Sequence, residues 1–329
     1  MGGGKGEEKK QQLVEGEKGE EEERPSRFKP PAFGTNPWLV YSSRGKVRNQ
    51  RFYDVCGGSY HSKSIPEMRN KLIWNCSYGW LILLDGKTLK SFSLLNPISL
   101  QNIKLPRLRE TAPACVLLSR PLNDPNCYVM CFPRKKKCVI FCKVGDVEWT
   151  EQDLGLPPDD GNSLTCVGIY DGKVHMLRYH KLFLVEIKDY HVTCTNLQVE
   201  WPSLPQRRSR AHHPISMVES SGELFLIYHF SLGRCGHLLE IIKLDFENKV
   251  WVSVQNLNDR AIFVNICPGG AIASISTKEF PGLKDNTIYF TLPEDKSILY
   301  QYNFEEKRVA IHLPCTNVTQ DWMPMWFFP

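Results

Sequence analysis

The chain has 329 residues, 42% of them hydrophobic and 23% charged, with a formal net charge of +5. That suits one large all-β domain or two smaller ones. No run of 18 uninterrupted apolar residues occurs, which excludes a membrane-spanning helix. The 12 cysteines have no apolar leader ahead of them to mark a secreted disulfide framework.

The chain opens on "MGGGKGEEKK", where Gly6 stands at the place a myristoylation signal reserves for Ser or Thr. Residues 1–24 carry eight Glu against four Lys and one Arg, a net of −3, so the remainder carries +8. With Met1, Leu13 and Val14 as its only apolar side chains, this segment cannot bury enough surface to fold alone. A disordered tail is expected, running through the Pro-rich "RPSRFKPPAFGTNP" as a linker to residue 36, with one folded domain over 37–329. No secretory route is expected from this opening, so the Asn-x-Ser/Thr triplets at Asn75 and Asn317 are expected to be chance matches. Free thiols and a place in the cytoplasm or nucleus are expected.

From Pro37 onward one grammar repeats: a turn with Gly or Asn, then four to six apolar residues, then a second and third strand ending on Leu or Leu-Pro. "IPEMRNKL" (65–72) allows a single helical turn. "NCSYGWLILLD" leads into "KSFSLLNPISLQNIKLP". The next copy holds "CYVMCFPRKKKCVIFC" (127–142), whose cysteine spacing tempts a zinc assignment. On extended strands, however, Cys127 and Cys131 stand roughly 13 Å apart, whereas two thiolates on one zinc sit about 4 Å apart. The segment therefore reads as a β-hairpin with small apolar thiols on its buried face, and no metal is expected. Further copies begin at "CVGIYDGKVHML", "SMVESSGELFLIYHF" and "GLKDNTIYFTL".

The markers Gly79, Asn126, Gly172, Gly222 and Asn286 are spaced by 47, 46, 50 and 64 residues. Strand-only units of about 40–50 residues are the mark of a β-propeller, and 293 residues hold about six of them. The expected fold is all-β: six blades of four antiparallel strands. "PWLVYSS" and "RFYDV" from one end would share a blade with "MWFFP" from the other, closing the ring and removing open edges.

"GWLILLD", "IYDGKVHML", "VWVSVQNLNDRAIFV", "FPGLKDNTIYF" and "MPMWFFP", in that order, resemble the plant F-box-associated KIB-type β-propeller family over residues 37–329. The resemblance implies a kelch-like propeller that selects partners. In that family an F-box ahead of the propeller engages the Skp1 adaptor of a ubiquitin ligase. An F-box needs about three helices, and 36 charged or small residues precede Pro37, so Skp1 binding is not expected of this chain.

Two clusters invite a site. Arg134, Lys135, Lys136 and Lys137 form one basic run, and Arg207, Arg208 and Arg210 lie in a loop between Pro205 and Pro214. Solvated loop charge is one reading and a nuclear import signal another. The functional reading is a partner protein with an acidic or phosphorylated surface. Asp259 and Arg260 read as a structural ion pair at a blade end, with Arg260 donating to strand-end carbonyls. His212 and His213 point to opposite faces of a strand, and His229 and His237 match no recognised ligand spacing. No nucleophile elbow, phosphate loop or HExxH occurs, and no cofactor is expected. The aromatics are spread through the strands and not interleaved with cations, so nucleic acid is not expected. The sequence thus points to a non-enzymatic protein-interaction module tied to ubiquitin-ligase pathways or competing with F-box relatives. The alternative is a propeller hydrolase or carbohydrate binder with its site at the channel mouth.

Overall fold

A computed structural model describes residues 1, 35–43, 49–109, 113–157, 164–178, 180–201, 215–231, 236–266, 270, 272–313 and 322–329. Its strands form six sheets arranged as the blades of a propeller. The first blade takes β1 (Trp38–Ser43), β2 (Gln50–Asp54) and β3 (Ser59–Lys63). The second holds β4 (Lys71–Ser77), β5 (Trp80–Asp85), β6 (Ser91–Leu95) and β7 (Asn102–Arg107), entered through a single 3-10 turn at Pro66–Met68. The third holds β8 (Cys115–Leu118), β9 (Val129–Phe132), β10 (Cys138–Cys142) and β11 (Thr150–Asp153). The fourth holds β12 (Leu164–Tyr170), β13 (Lys173–Arg178), β14 (Lys181–Lys188) and β15 (His191–Asn196). The fifth holds β16 (Ile215–Ser220), β17 (Glu223–Ser231), β18 (His237–Asp245) and β19 (Val250–Ser253). The sixth holds β20 (Arg260–Asn265), β21 (Ile272–Ser276), β22 (Thr287–Thr291), β23 (Leu299–Asn303) and β24 (Arg308–His312). The last strand, β25 (Trp322–Phe327), returns to the first blade. It pairs antiparallel with β1, with Leu39 opposite Trp326, so both ends of the propeller close one sheet.

Burial along the strands follows position in the blade. Middle strands have neighbouring blades on both faces, so β10 and the LFLIYH of β17 are buried without alternation. Outer strands have one free side, and β11 and most of β15 alternate. The core accordingly lies in the seams. One cluster fills the contacts of the first blade with its two neighbours, and four others fill the remaining seams. The cysteine hairpin behaves as its sequence implies. Ile140 faces Cys131 across the pair, and Cys127, Cys131, Cys138 and Cys142 all face the seam between the second and third blades.

Turn chemistry sets the register. Tyr78–Gly79, Asp171–Gly172 and Ser221–Gly222 join first to second strands with positive φ at both residues, the requirement of a type I′ turn. At other strand ends a side-chain oxygen caps the turn. Asp85, Asn96, Asp245 and Asn303 each accept from the backbone N–H groups two and three residues on.

The sixth blade departs from the four-stranded pattern. After β20 the chain turns back into β21, crosses through a 3-10 turn at Thr277–Glu279, and adds β22 parallel to β20 on its other edge. The sheet has five strands in the order β21-β20-β22-β23-β24. The extra strand and its crossover account for the long spacing of 64 residues before Asn286. The crossover also meets the first blade, where Gly282 packs against the Cys56 backbone.

Candidate functional site

In a four-stranded meander the first-to-second and third-to-fourth turns leave at the same end. All the inner strands, β25, β4, β8, β12, β16 and β21, run toward that end around the axis. There they surround an open cavity of about 660 Å³, lined by residues from all six blades.

Inner strands of neighbouring blades do not share a backbone ladder, so buried polar side chains tie them together. Asn75 donates from Nδ2 to the Val116 carbonyl at 2.8 Å, and the Ser77 hydroxyl accepts from the Leu118 N–H at 3.3 Å. The Ser220 and Ser274 hydroxyls meet at 2.6 Å. One strand out, on β20, Asn265 donates to the Pro324 carbonyl at 3.2 Å and accepts from the Trp326 N–H at 3.2 Å. Each contact satisfies groups that would otherwise be buried unpaired. Gly168 serves the same purpose by being small, since a Cβ there would stand 3.0 Å from Met217.

The remaining chemistry at the mouth is sparse. Among the described lining residues Glu219 is the one carboxylate and none is a cation or a histidine. Glu219 is exposed, and its Oε2 accepts from the Asp171 N–H at 2.9 Å. Burial pushes the Cys76 thiol up to about 12. Burial also raises Tyr78, with Cys127 and Glu219 adding to the shift and Arg120 opposing it. Tyr170 is raised by burial and by Asp171, Glu219 and Glu223, and its hydroxyl donates to the Gly222 carbonyl at 3.1 Å.

A second cavity of about 490 Å³ lies between the third and fourth blades and shares Gly172 with the first. Arg120, Lys173 and Lys188 line it beside Glu186 and Asp189. Tyr190 closes the seam nearby. Its hydroxyl donates to Asp146 at 2.9 Å, its ring meets Tyr128 edge-on at 5.6 Å, and Lys143 lies over both rings.

The basic run stands at the opposite end, on the turn between β9 and β10. Lys136 pairs with Glu151 at 3.3 Å, and Lys137 donates to the Pro157 carbonyl. Arg134 and Lys135 are exposed. Arg207, Arg208 and Arg210, with His212 and His213, lie outside the described residues. Asp259 and Arg260 are both ion-paired, but with other residues. Lys278 meets Asp259 at 3.0 Å and holds its carboxyl low, while Arg260 pairs with Glu223 at 3.2 Å. Arg260 also donates to the Ser220 carbonyl at 3.4 Å and covers the Phe225 ring, joining the fifth and sixth blades.

Two features escaped the sequence. His229 and His237 meet at 3.1 Å on paired strands, stacked in the seam beside Phe290. Their separation of eight residues concealed a hairpin contact. Tyr78 at the channel mouth had a visible signal, because "SYGW" sets a tyrosine where a two-residue turn favours Asn, Asp or Gly.

The family model for the KIB1-4 β-propeller matches residues 52–312. An F-box protein of Arabidopsis thaliana, At2g05970, is 22% identical over 92% of this chain and 87% of its own length. A second Arabidopsis thaliana protein, the putative F-box protein At4g17565, is 25% identical over 65% of this chain and 59% of its own. Among solved structures, apo AztD from Citrobacter koseri superposes with a TM-score of 0.40 at 10% identity, over 89% of this chain and 99% of that one.

Proposed function

The chain belongs to the KIB1-4 β-propeller family, and from that premise we propose that it is a non-enzymatic module that selects a protein partner. The supporting observation is the hub. Its cavity is open and lined by residues of all six blades, yet the described lining holds one carboxylate and no base–nucleophile pair. Asn75, Ser77 and Ser274 of the lining are spent on tying inner strands together. F-box proteins among its relatives make partner selection for a ubiquitin ligase the natural setting. Nine free cysteines among the described residues suit a reducing compartment, the cytoplasm or nucleus. The described residues carry no helix beyond single 3-10 turns, so we assign partner recognition to the propeller and not adaptor binding.

The test is co-precipitation from plant extract, reconstitution of the complex from purified components, and a survey of hydrolase and glycan substrates. A stoichiometric complex without turnover is the expected result. Turnover of an ester, peptide or glycoside that disappears in Glu219→Gln would replace this reading with an enzyme at the channel mouth.

A further inference from the structure

Building on the interaction-module reading, we propose that the partner docks on the end of the propeller where the inner strands terminate, as a polypeptide segment that places a Lys or Arg side chain in the channel mouth.

The turns at this end present apolar side chains to solvent. Apart from Met1, nine large hydrophobic side chains are exposed among the described residues. Six of them, Tyr78, Ile98, Val144, Val147, Tyr190 and Phe246, sit on the turns at this end. The other three, Tyr60, Ile311 and Leu313, lie on or beside outer strands. A set of apolar tips gathered on neighbouring turns is what a protein-docking face presents. Both larger cavities open within it and share Gly172 in their linings.

Two of these tips are held in an unfavourable backbone region. Tyr78 and Tyr190 have φ of 48° and 63°, where tyrosine is uncommon and Asn or Gly is preferred. Tyr190 has a structural use, since it bridges the third and fourth blades through Asp146 and Tyr128. Tyr78 is 41% exposed on the rim of the central cavity, so its ring is available to an incoming group.

Charge at the mouth selects the kind of segment. Glu219 lines the cavity, Asp171 stands beside it, and among the described residues neither pairs with a cation. Glu223, the next carboxylate, is already neutralised by Lys243 and Arg260. Of the cations near this end, Arg120 pairs with Asp124 at 3.5 Å and Arg260 with Glu223 at 3.2 Å, while Lys173 and Lys188 line the neighbouring groove. An ammonium or guanidinium at the mouth would meet Glu219 and Asp171 on one side and the Tyr78 ring on the other. The alkyl stem of the same side chain would cover Pro121, Ile272 and Phe328.

The probe is a phage-displayed library of random peptides selected against the full chain, with affinities of chosen peptides measured by fluorescence anisotropy. Enriched peptides should carry Lys or Arg next to apolar residues and bind more weakly as salt rises. Glu219→Gln combined with Asp171→Asn should weaken binding at least about tenfold, the loss of one charge-assisted contact. Tyr78→Asn is the decisive variant. It supplies the residue a type I′ turn favours, so its melting temperature should equal or exceed that of the wild type while binding falls about tenfold. Arg134→Ala with Lys135→Ala, at the other end, should change nothing. Enrichment of acidic peptides lost in that last variant would overturn the docking site and leave the interaction module standing. Peptides or a reconstituted partner indifferent to Tyr78→Asn and to the carboxylate variant would do the same. A propeller that binds neither peptide nor protein but turns over a substrate would overturn the module itself.

Discussion

Replacing Trp326 measures what closing the ring contributes. Trp326 lies on β25 opposite Leu39, is fully buried, and meets Phe263 edge-on at 5.0 Å. A tryptophan buries about 150–250 Å², which at about 25 cal/mol per Å² is roughly 4–6 kcal/mol as an upper bound. Truncation data for buried aromatics give about 3–5 kcal/mol. Trp326→Ala should therefore lower the melting temperature by roughly 6–20 °C, taking about 2–4 °C per kcal/mol for a domain of this size. Trp326→Phe should behave differently. The indole N–H is buried with no acceptor among the described residues, and leaving such a group unsatisfied costs about 1–3 kcal/mol. Phenylalanine keeps the contact with Phe263 and removes that group, losing about 40 Å² of apolar area, or about 1 kcal/mol. The two effects offset, leaving the variant within about 1.5 kcal/mol of wild type. Far-UV circular dichroism and calorimetry near neutral pH are the assays, because removing a tryptophan alters fluorescence directly. A loss under about 1 kcal/mol for Trp326→Ala would show that the closing strand is dispensable. An equal loss for both variants would show that the indole N–H is bonded after all.

Gly282→Ala should destabilise by about 1–3 kcal/mol, since its Cβ would stand 2.2 Å from the Cys56 carbonyl oxygen, and a rigid backbone cannot yield as a side chain can. Urea unfolding reads the loss, and an unchanged midpoint would mean that the sixth and first blades do not meet there. Stability should fall on acidification from about pH 7 to 5.5. Burial lowers the folded pKa of His175 and His237 below the ordinary value near 6.5, so the unfolded chain takes up more protons in that window. The stability is fully present above the unfolded pKa and is lost as pH drops toward the folded values. Carboxylates held low by partners, such as Asp85, add their losses only at lower pH. Differential scanning calorimetry across the range should show a shallower slope in His175→Gln and His237→Gln, whereas a melting temperature rising toward pH 5.5 would contradict the burial. Burial likewise raises the Cys131, Cys142 and Cys166 thiols and takes Cys56 up to about 11. Alkylation near pH 8 with peptide mapping should leave Cys131, Cys142 and Cys166 unlabelled in the native protein and label them quickly after unfolding. Labelling at the unfolded rate would mean that the seams are open.

The architecture was legible in the sequence because its determinants are local. Apolar strand runs, Tyr78–Gly79, Asp171–Gly172 and Ser221–Gly222 turns, and capping residues such as Asp85 and Asn303 each act within a few positions. Repeated every 46 to 50 residues, they specify blades, and the apolar segments at both ends specify closure. The hairpin around Cys131 and Cys138 was equally readable, since two strand-forming runs flank a polar turn. What lies across a seam was not readable, because it depends on which residues the closed ring brings face to face. Asp259 and Arg260 are neighbours in the chain, yet their nearer partners are Lys278, on the crossover of the same blade, and Glu223. Glu223 comes from another blade. His229 and His237 became a pair only when β17 and β18 aligned. The candidate site shows the same division. The basic residues Arg134 to Lys137 stand out in the sequence as a run, while Tyr78, Asp171 and Glu219 are scattered over 142 positions and converge only because the inner strands all end at one mouth. Local rules build each blade, but the chemistry of a propeller's hub is assembled from one or two residues per blade, and only the tertiary closure decides which ones meet.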